Sequence, residues 1–319
     1  MGSTNGLVCK LVTFIFHWSN LMKILCTCFR GIFRPNAVQH LISDIIKLEK
    51  NIREIKRRKN DRNNSLYRGL MFVNAWFPII VCVIYAVDLN GNPEIRIGEI
   101  FQIINRVGLV VMHSSFCTFT LIIYLQLRET NKQYKRLRNS HLSLAHRIWG
   151  LKVAVWRHCT ITKAWNQLID VYESYLFFEM ISMTAATLGS LYYVYSYFAP
   201  GRYLEYNFLP LREILLVVQA IYEIMIICKL CDSIVNESCK RGIMSEEAKL
   251  KTTPLFLMES PSGFKGVKLQ RLSCKLYGHF TLNNSLLIMV CLCLLSYGIF
   301  FSLKIIGNLG EFLALQNLL

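Results

Sequence analysis

The sequence predicts an all-α, polytopic membrane protein with six to seven transmembrane helices, and three observations carry that prediction. Of the 319 residues, 53% are apolar and only 18% charged, against about 45–50% and about 25% in a soluble domain. The apolar excess gathers in blocks of roughly 20 residues, the length that crosses a hydrocarbon core about 30 Å thick. Lys and Arg gather between the blocks instead. Together these exclude a cytosolic enzyme, a secreted disulfide scaffold and a disordered tail.

The expected spans are 7–29, 67–88, 101–126, 174–199, 208–234 and 280–307. Lys10, His17, Asn20 and Lys23 interrupt the first. A cleaved signal peptide fits it poorly, because its small residues precede the apolar stretch. Over 37–59, Val38, Leu41, Ile42, Ile45, Ile46, Leu48, Ile52 and Ile55 recur mostly at intervals of three and four, with basic residues opposite. That spacing predicts an amphipathic helix, which either lies on an anionic leaflet or packs against other helices. Segment 126–173 has few turn formers beyond Gly150, so the third and fourth spans continue as helices into the cytosol. Pro254, Pro261, Gly263 and Gly266 predict a loop over 242–268. No internal repeat is visible, which argues against a transporter built from paired halves.

The net charge of +16 marks membrane sidedness rather than a nucleic-acid partner, since no recognition motif accompanies the basic runs. Segments 30–68, 128–163 and 235–275 hold eleven, nine and eight Lys/Arg. The positive-inside bias therefore places these three segments in the cytosol. Segments 89–100 and 200–207 become short outer turns, and the tail 308–319 lies outside. The sequons at Asn63, Asn236 and Asn283 fall on the cytosolic side or at its edge and are expected to be unused.

Candidate chemistry is sparse. Most of the twelve cysteines sit in apolar blocks, and Cys26-x-Cys28 and Cys228-x-x-Cys231 lack further ligands at metal spacing. No metal or cofactor is expected. Cys26, Cys28 and Cys239 lie near cytosolic membrane edges, a position that suits palmitoylation though nothing in the sequence demands it. There is no HExxH, GxSxG or phosphate-binding loop, so an enzyme is not expected.

Ionisable residues inside spans default to a functional role. Arg106, Arg212, Glu213 and Lys304 lie near the outer interface, where snorkelling to head groups explains them, and Glu179 near the cytosolic end is read the same way. His113 and Glu223 lie deeper, lining a water-filled cavity or bonding between helices. Tyr192, Tyr193, Tyr195 and Tyr197 fall within six residues and cannot all face lipid, because their directions sweep around the helix. Trp76, Tyr85, His113, Tyr192, Tyr193 and Glu223 are the candidate ligand-binding set.

The stretch from Leu269 onward, LQRLSCKLYGHFTLNNSLLIMVCLCLLSYGIFFSLKI, resembles the C-terminal signature of insect gustatory receptors. There a short helix leads to a Gly-x-Phe-x-Leu-Asn-like turn and then to a final span ending in Thr-Tyr, five apolar residues, Gln and Phe. Gly278, Phe280, Leu282 and Asn283 match the turn, and Ser296-Tyr297 stands for Thr-Tyr. Leu303-Lys304 replaces Gln-Phe, a departure. The insect odorant receptors share the same plan.

The resemblance implies seven spans in the family, the first one here corresponding to the family's second. It implies a homo- or heterotetrameric, ligand-gated cation channel opened by a small organic tastant, in the plasma membrane of sensory neurons. Residues 1–234, with cytosolic helices 37–60 and 126–173, would form the ligand-binding bundle in contact with membrane lipid. Residues 235–279 would supply a cytosolic loop and anchor helix, and 280–319 the pore-lining helix and extracellular tail. Ser296, Tyr297, Phe300 and Leu303 would line the pore. The alternatives are an odorant-receptor relative or a non-conducting adaptor or transporter. A G-protein-coupled receptor needs the opposite placement of its C-terminus.

Overall fold

The computed structural model describes residues 2–33, 35–57, 97–139, 143–198, 209–251, 272–293, 295–296, 299 and 303. The expected second span, with Trp76 and Tyr85, lies outside the described residues. Helix α1 runs Gly2–Phe33, α2 Pro35–Arg57, α3 Ile97–Asn139, α4 Leu144–Phe198 and α5 Leu209–Lys251. A two-stranded hairpin follows, β1 Lys275–Leu276 and β2 Phe280–Thr281, and then α6 from Asn284. At 1.5 Å per residue, the 55 residues of α4 extend about 80 Å. That is more than twice a hydrocarbon core, so α4 continues well beyond its span, as expected from 126–173. Among the described residues, Gly108–Leu137 of α3 is long and apolar enough to cross a membrane by length and composition.

The chain divides into two compact units. One comprises Met1–Pro35, Tyr172–Lys229 and Lys275–Leu319, and the other Asn36–Val171 and Leu230–Cys274.

In the first unit, α1 is amphipathic in the inverted sense. Ser19, Asn20 and Lys23 are buried, whereas Leu11, Phe14, Trp18, Leu21, Leu25 and Phe29 point outward at intervals of three and four. Such a pattern suits a helix bathed in lipid, where apolar side chains lose nothing by facing out and polar ones seek partners inside. Asn20 and Lys23, which interrupt the first span, therefore belong to its inward face. α1 stops before Pro35, which cannot continue it, and Pro35 then opens α2 in the first helical position.

In the second unit, α2 buries Leu41, Ile45 and Leu48, and the Gln126 side-chain amide of α3 donates to the Leu48 carbonyl. Of the two readings open for this helix, packing against the protein accounts for that stripe, while Ile42 and Ile46 remain exposed. α3 and α4 approach closely at Gly150, where an added Cβ would lie 2.6 Å from Leu137 Cδ2. Gly150 is thus a packing position inside a helix rather than a turn. The Asn131 amide of α3 donates to the Glu237 carbonyl (2.9 Å) and carboxylate (3.0 Å) of α5. Trp165, fully buried on α4, donates its indole N–H to the Ser273 carbonyl at 3.0 Å.

Two boundaries differ from expectation. α5 stays helical through Lys251, so 242–251 is not loop; its charged, proline-free stretch sustains helix up to Thr252, and 252–271 lies outside the described residues. The final span starts at Asn284 rather than 280, because residues 280–281 are spent on the hairpin.

Candidate functional site

The hairpin at the base of α6 is built from the motif residues. Lys275 pairs with Thr281 and Leu276 with Phe280, and His279 N–H donates to the Leu276 carbonyl at 3.1 Å. Both residues at the centre of that turn have positive φ, 50° at Tyr277 and 72° at Gly278. Glycine meets this requirement without steric cost. A Cβ at 278 would meet nothing within 4 Å, so the need there is conformational, not spatial.

Tyr277 is the unusual member, since a left-handed conformation costs a side-chain-bearing residue about 1–2 kcal/mol. Three contacts from α4 hold it. Its N–H donates to Glu173 Oε1 (2.6 Å), its hydroxyl lies 2.8 Å from Ser174 Oγ, and its ring meets Phe177 edge-on at 5.3 Å. Phe280 also lies against Phe177, 5.7 Å between centroids. Leu282 is fully buried. Asn283 caps α6, its Oδ1 accepting the Leu286 N–H at 3.0 Å and satisfying a donor the helix leaves orphaned. The family-like turn is thus a turn, a plug and a cap in succession. Of its approach, Leu272–Cys274 carry no regular secondary structure and Lys275–Leu276 form β1; the residues before Leu272, where the short helix implied by the resemblance would begin, lie outside the described residues.

The first unit also encloses a polar cluster. Lys23 Nζ of α1 lies 2.7 Å from both Glu179 Oε2 and Ser182 Oγ of α4. Lys23 is 1% and Glu179 2% exposed. Ser182 Oγ in turn donates to the Glu179 carbonyl at 3.1 Å. On α5, the Gln219 amide donates to Glu223 Oε1 at 2.8 Å, and carboxylate oxygens of Glu223 and Glu179 lie within 4.8 Å. Glu179 therefore does not snorkel. Buried, it is paired with the Lys23 ammonium, which the Ser182 hydroxyl also contacts.

The other expected residues distribute as follows. Tyr192, half-buried on α4, and Glu223, buried on α5, belong to the first unit. His113, buried on α3, belongs to the second, its Nε2 3.5 Å from Cys117 Sγ one turn along. Tyr193 is helical, with its side chain outside the described residues. Of the pore set, Ser296 and Leu303 are exposed on α6, while Tyr297 and Phe300 lie outside the described residues. The side chains of Arg106, Arg212, Glu213 and Lys304 are likewise not described. Sequence reasoning missed the Lys23–Glu179 pair and the Glu173, Ser174 and Phe177 clasp. For the pair a signal existed, a lysine inside an apolar helix.

Helices of more than forty residues, with an α1 that turns its polar side chains inward and its apolar ones outward, mark a helical membrane protein. The sequence matches the 7tm chemosensory receptor family over residues 8–302, and the chain belongs to that family. It is a chemosensory receptor and not an enzyme. Among solved structures it is similar to the insect olfactory receptor OR5 from Machilis hrabei, determined in complex with eugenol. The identity is 12% and the TM-score 0.52, with 95% of this chain and 83% of that one covered. No curated protein sequence matches it.

Proposed function

We propose that the protein is a gustatory-type receptor subunit whose last helix lines the pore of a ligand-gated, non-selective cation channel. It would reside in the plasma membrane of sensory neurons, as a homo- or heterotetramer. The observation that carries this reading is the bare face of α6. Ile288, Met289, Leu292, Leu295, Ile299 and Leu303 are 57–64% exposed. At 100° per residue these positions, with Ser296, sweep over about a third of the helix circumference. An apolar face of this breadth seeks cover from lipid or from other subunits, and four copies about one axis would enclose an ion path with it.

In this reading residues 1–234 bind the ligand, 235–279 anchor the subunits in the cytosol, and 280–319 form the pore helix and an extracellular tail. A ring of Leu303 gates by dewetting, and Lys304 turns to head groups or a neighbouring subunit. The ligand is a small organic tastant held by Tyr192, Tyr193 and Glu223. It opens the pore by binding the open arrangement better than the closed one. An odorant-type receptor is the second reading, favoured by the olfactory receptor whose fold this chain shares and by the small aromatic compound in that structure.

Patch-clamp recording with panels of tastants and odorants separates these readings. A ligand-evoked cation current supports the channel, and the panel that evokes it decides between the two classes. No current in any co-expression favours a non-conducting adaptor. A tag after Leu319 should be reachable by antibody on intact cells; reachability only after permeabilisation overturns the pore orientation.

A further inference from the structure

We propose that Cys231 and Cys274 form a redox-active dithiol that closes to an intramolecular disulfide, tying α5 to the segment that leads into the last helix. The sequence offers Cys228-x-x-Cys231 within α5 but no partner for it at close spacing. The fold brings one from 43 residues away. Cys274 Sγ lies 3.3 Å from Cys231 Sγ, with both residues fully buried and both in the second unit. A disulfide needs the sulfurs about 2.05 Å apart, so about 1.2 Å of closure suffices. The indole N–H of Trp165 holds the neighbouring Ser273 carbonyl and thereby fixes the approach of Cys274.

The oxidant is a peroxide. One thiol loses its proton, and the thiolate attacks a peroxide oxygen, giving a sulfenic acid and releasing hydroxide, which takes up that proton as water. The second sulfur then displaces the sulfenic oxygen as a second water and forms the S–S bond. Two thiols are oxidised by two electrons and one hydrogen peroxide is reduced to two waters. Because both sulfurs are buried, hydrogen peroxide arrives when the segment 272–274 lifts from Trp165. Bulky alkylating reagents stay outside. Cytosolic disulfides are typically transient and redox-sensing, which suits a pair placed beside a basic, cytosol-facing stretch. The bond would tether the residue immediately before β1. On the channel reading above it would restrain α6 and lower the ligand-evoked current; that consequence rests on that reading, whereas the disulfide does not.

The test uses the full chain purified in detergent and treated with hydrogen peroxide, then alkylated, digested and analysed by mass spectrometry. The expected product is a linked peptide pair joining Cys231 to Cys274, lighter than the sum by two hydrogen atoms. It disappears with dithiothreitol and in C231S and C274S, and persists in C228S. If peroxide sufficient to oxidise the exposed Cys159 yields no such pair, or joins Cys274 to Cys228 instead, the proposal is overturned. Wild-type mapping needs no variant, so a misfolded serine mutant does not blunt the result. In recordings, peroxide should reduce the wild-type current reversibly and leave C274S unaffected. A linked pair with an unchanged current upholds the dithiol and removes its effect on gating, and a linked pair with no current in any condition upholds the dithiol while the channel reading fails.

Discussion

The turn at the base of α6 and the polar cluster around Lys23 belong to the same compact unit but are built on opposite principles. The turn is assembled from consecutive residues: Gly278 supplies the backbone conformation, Leu282 the buried plug and Asn283 the cap. The cluster joins Lys23 to Glu179 across 156 residues of chain, and neither side chain has a satisfactory place without the other. Local chemistry therefore makes the turn tolerant of change one piece at a time, whereas the cluster stands or falls as a whole. Glu173, Ser174 and Phe177 link the two regions in chemistry as well as sequence, since α4 supplies both the clasp on Tyr277 and, a turn or two later, the carboxylate for Lys23.

Substitutions at five positions grade this contrast, beginning with the largest effect. Lys23→Met or Glu179→Met alone should destabilise by about 3–5 kcal/mol, because each leaves a buried group without its partner. The paired change K23M/E179M should recover most of the loss, as replacing both ions with apolar groups of similar size is often close to neutral. Thermal unfolding of the detergent-purified chain, run as a double-mutant cycle, measures the coupling; purely additive effects would mean that the cluster does not act as a unit.

Next, Gly278→Ala should cost about 1–2 kcal/mol through the left-handed conformation alone. Gly278→Asn should cost less, since asparagine tolerates that region. Equal losses in the two variants would show that something other than backbone geometry selects glycine. Asn283→Ala should cost about 1 kcal/mol from the lost cap. Hydrogen exchange should locate the change in the first turn of α6, and protection lost evenly along the chain would contradict a local role.

The smallest expected effect is at Gly150. Alanine there gains about 1 kcal/mol of helix propensity, offset by its approach to both terminal methyls of Leu137 (2.6 and 3.0 Å), the far end of a side chain that must shift. The net shift in melting temperature should be small, and G150V should lower it clearly because the larger side chain demands more room. A tolerated valine would mean that α3 and α4 are less tightly apposed at this point.

Much of the architecture is legible in the chain itself, for reasons that particular elements make plain. The amphipathic α2 follows from Leu41, Ile45 and Leu48 at helical spacing, and the long α4 from the near absence of breakers between Leu144 and Phe198. The base of α6 is legible because turn, plug and cap are adjacent. Lys23 is the instructive failure. A hydropathy window counts it as damage to a span, whereas the folded α1 turns Ser19, Asn20 and Lys23 inward and its apolar stripe outward. Glu179 was misread for the same reason: an ionisable residue near a span end looks like one reaching for head groups until its counter-ion is found on another helix.

Sequence alone thus determined the helical membrane class, the continuation of α3 and α4 as long helices and the motif at the base of the last one, because each depends on composition or on residues within a few positions of one another. Tertiary structure decided which polar residue meets which: Lys23 with Glu179, Tyr277 with Glu173 and Ser174, Cys231 with Cys274. Such pairings arise when helices far apart in the chain lie side by side. Polar groups taken out of water are stabilised only by partners, and no spacing rule along the chain records which partner a distant helix will bring.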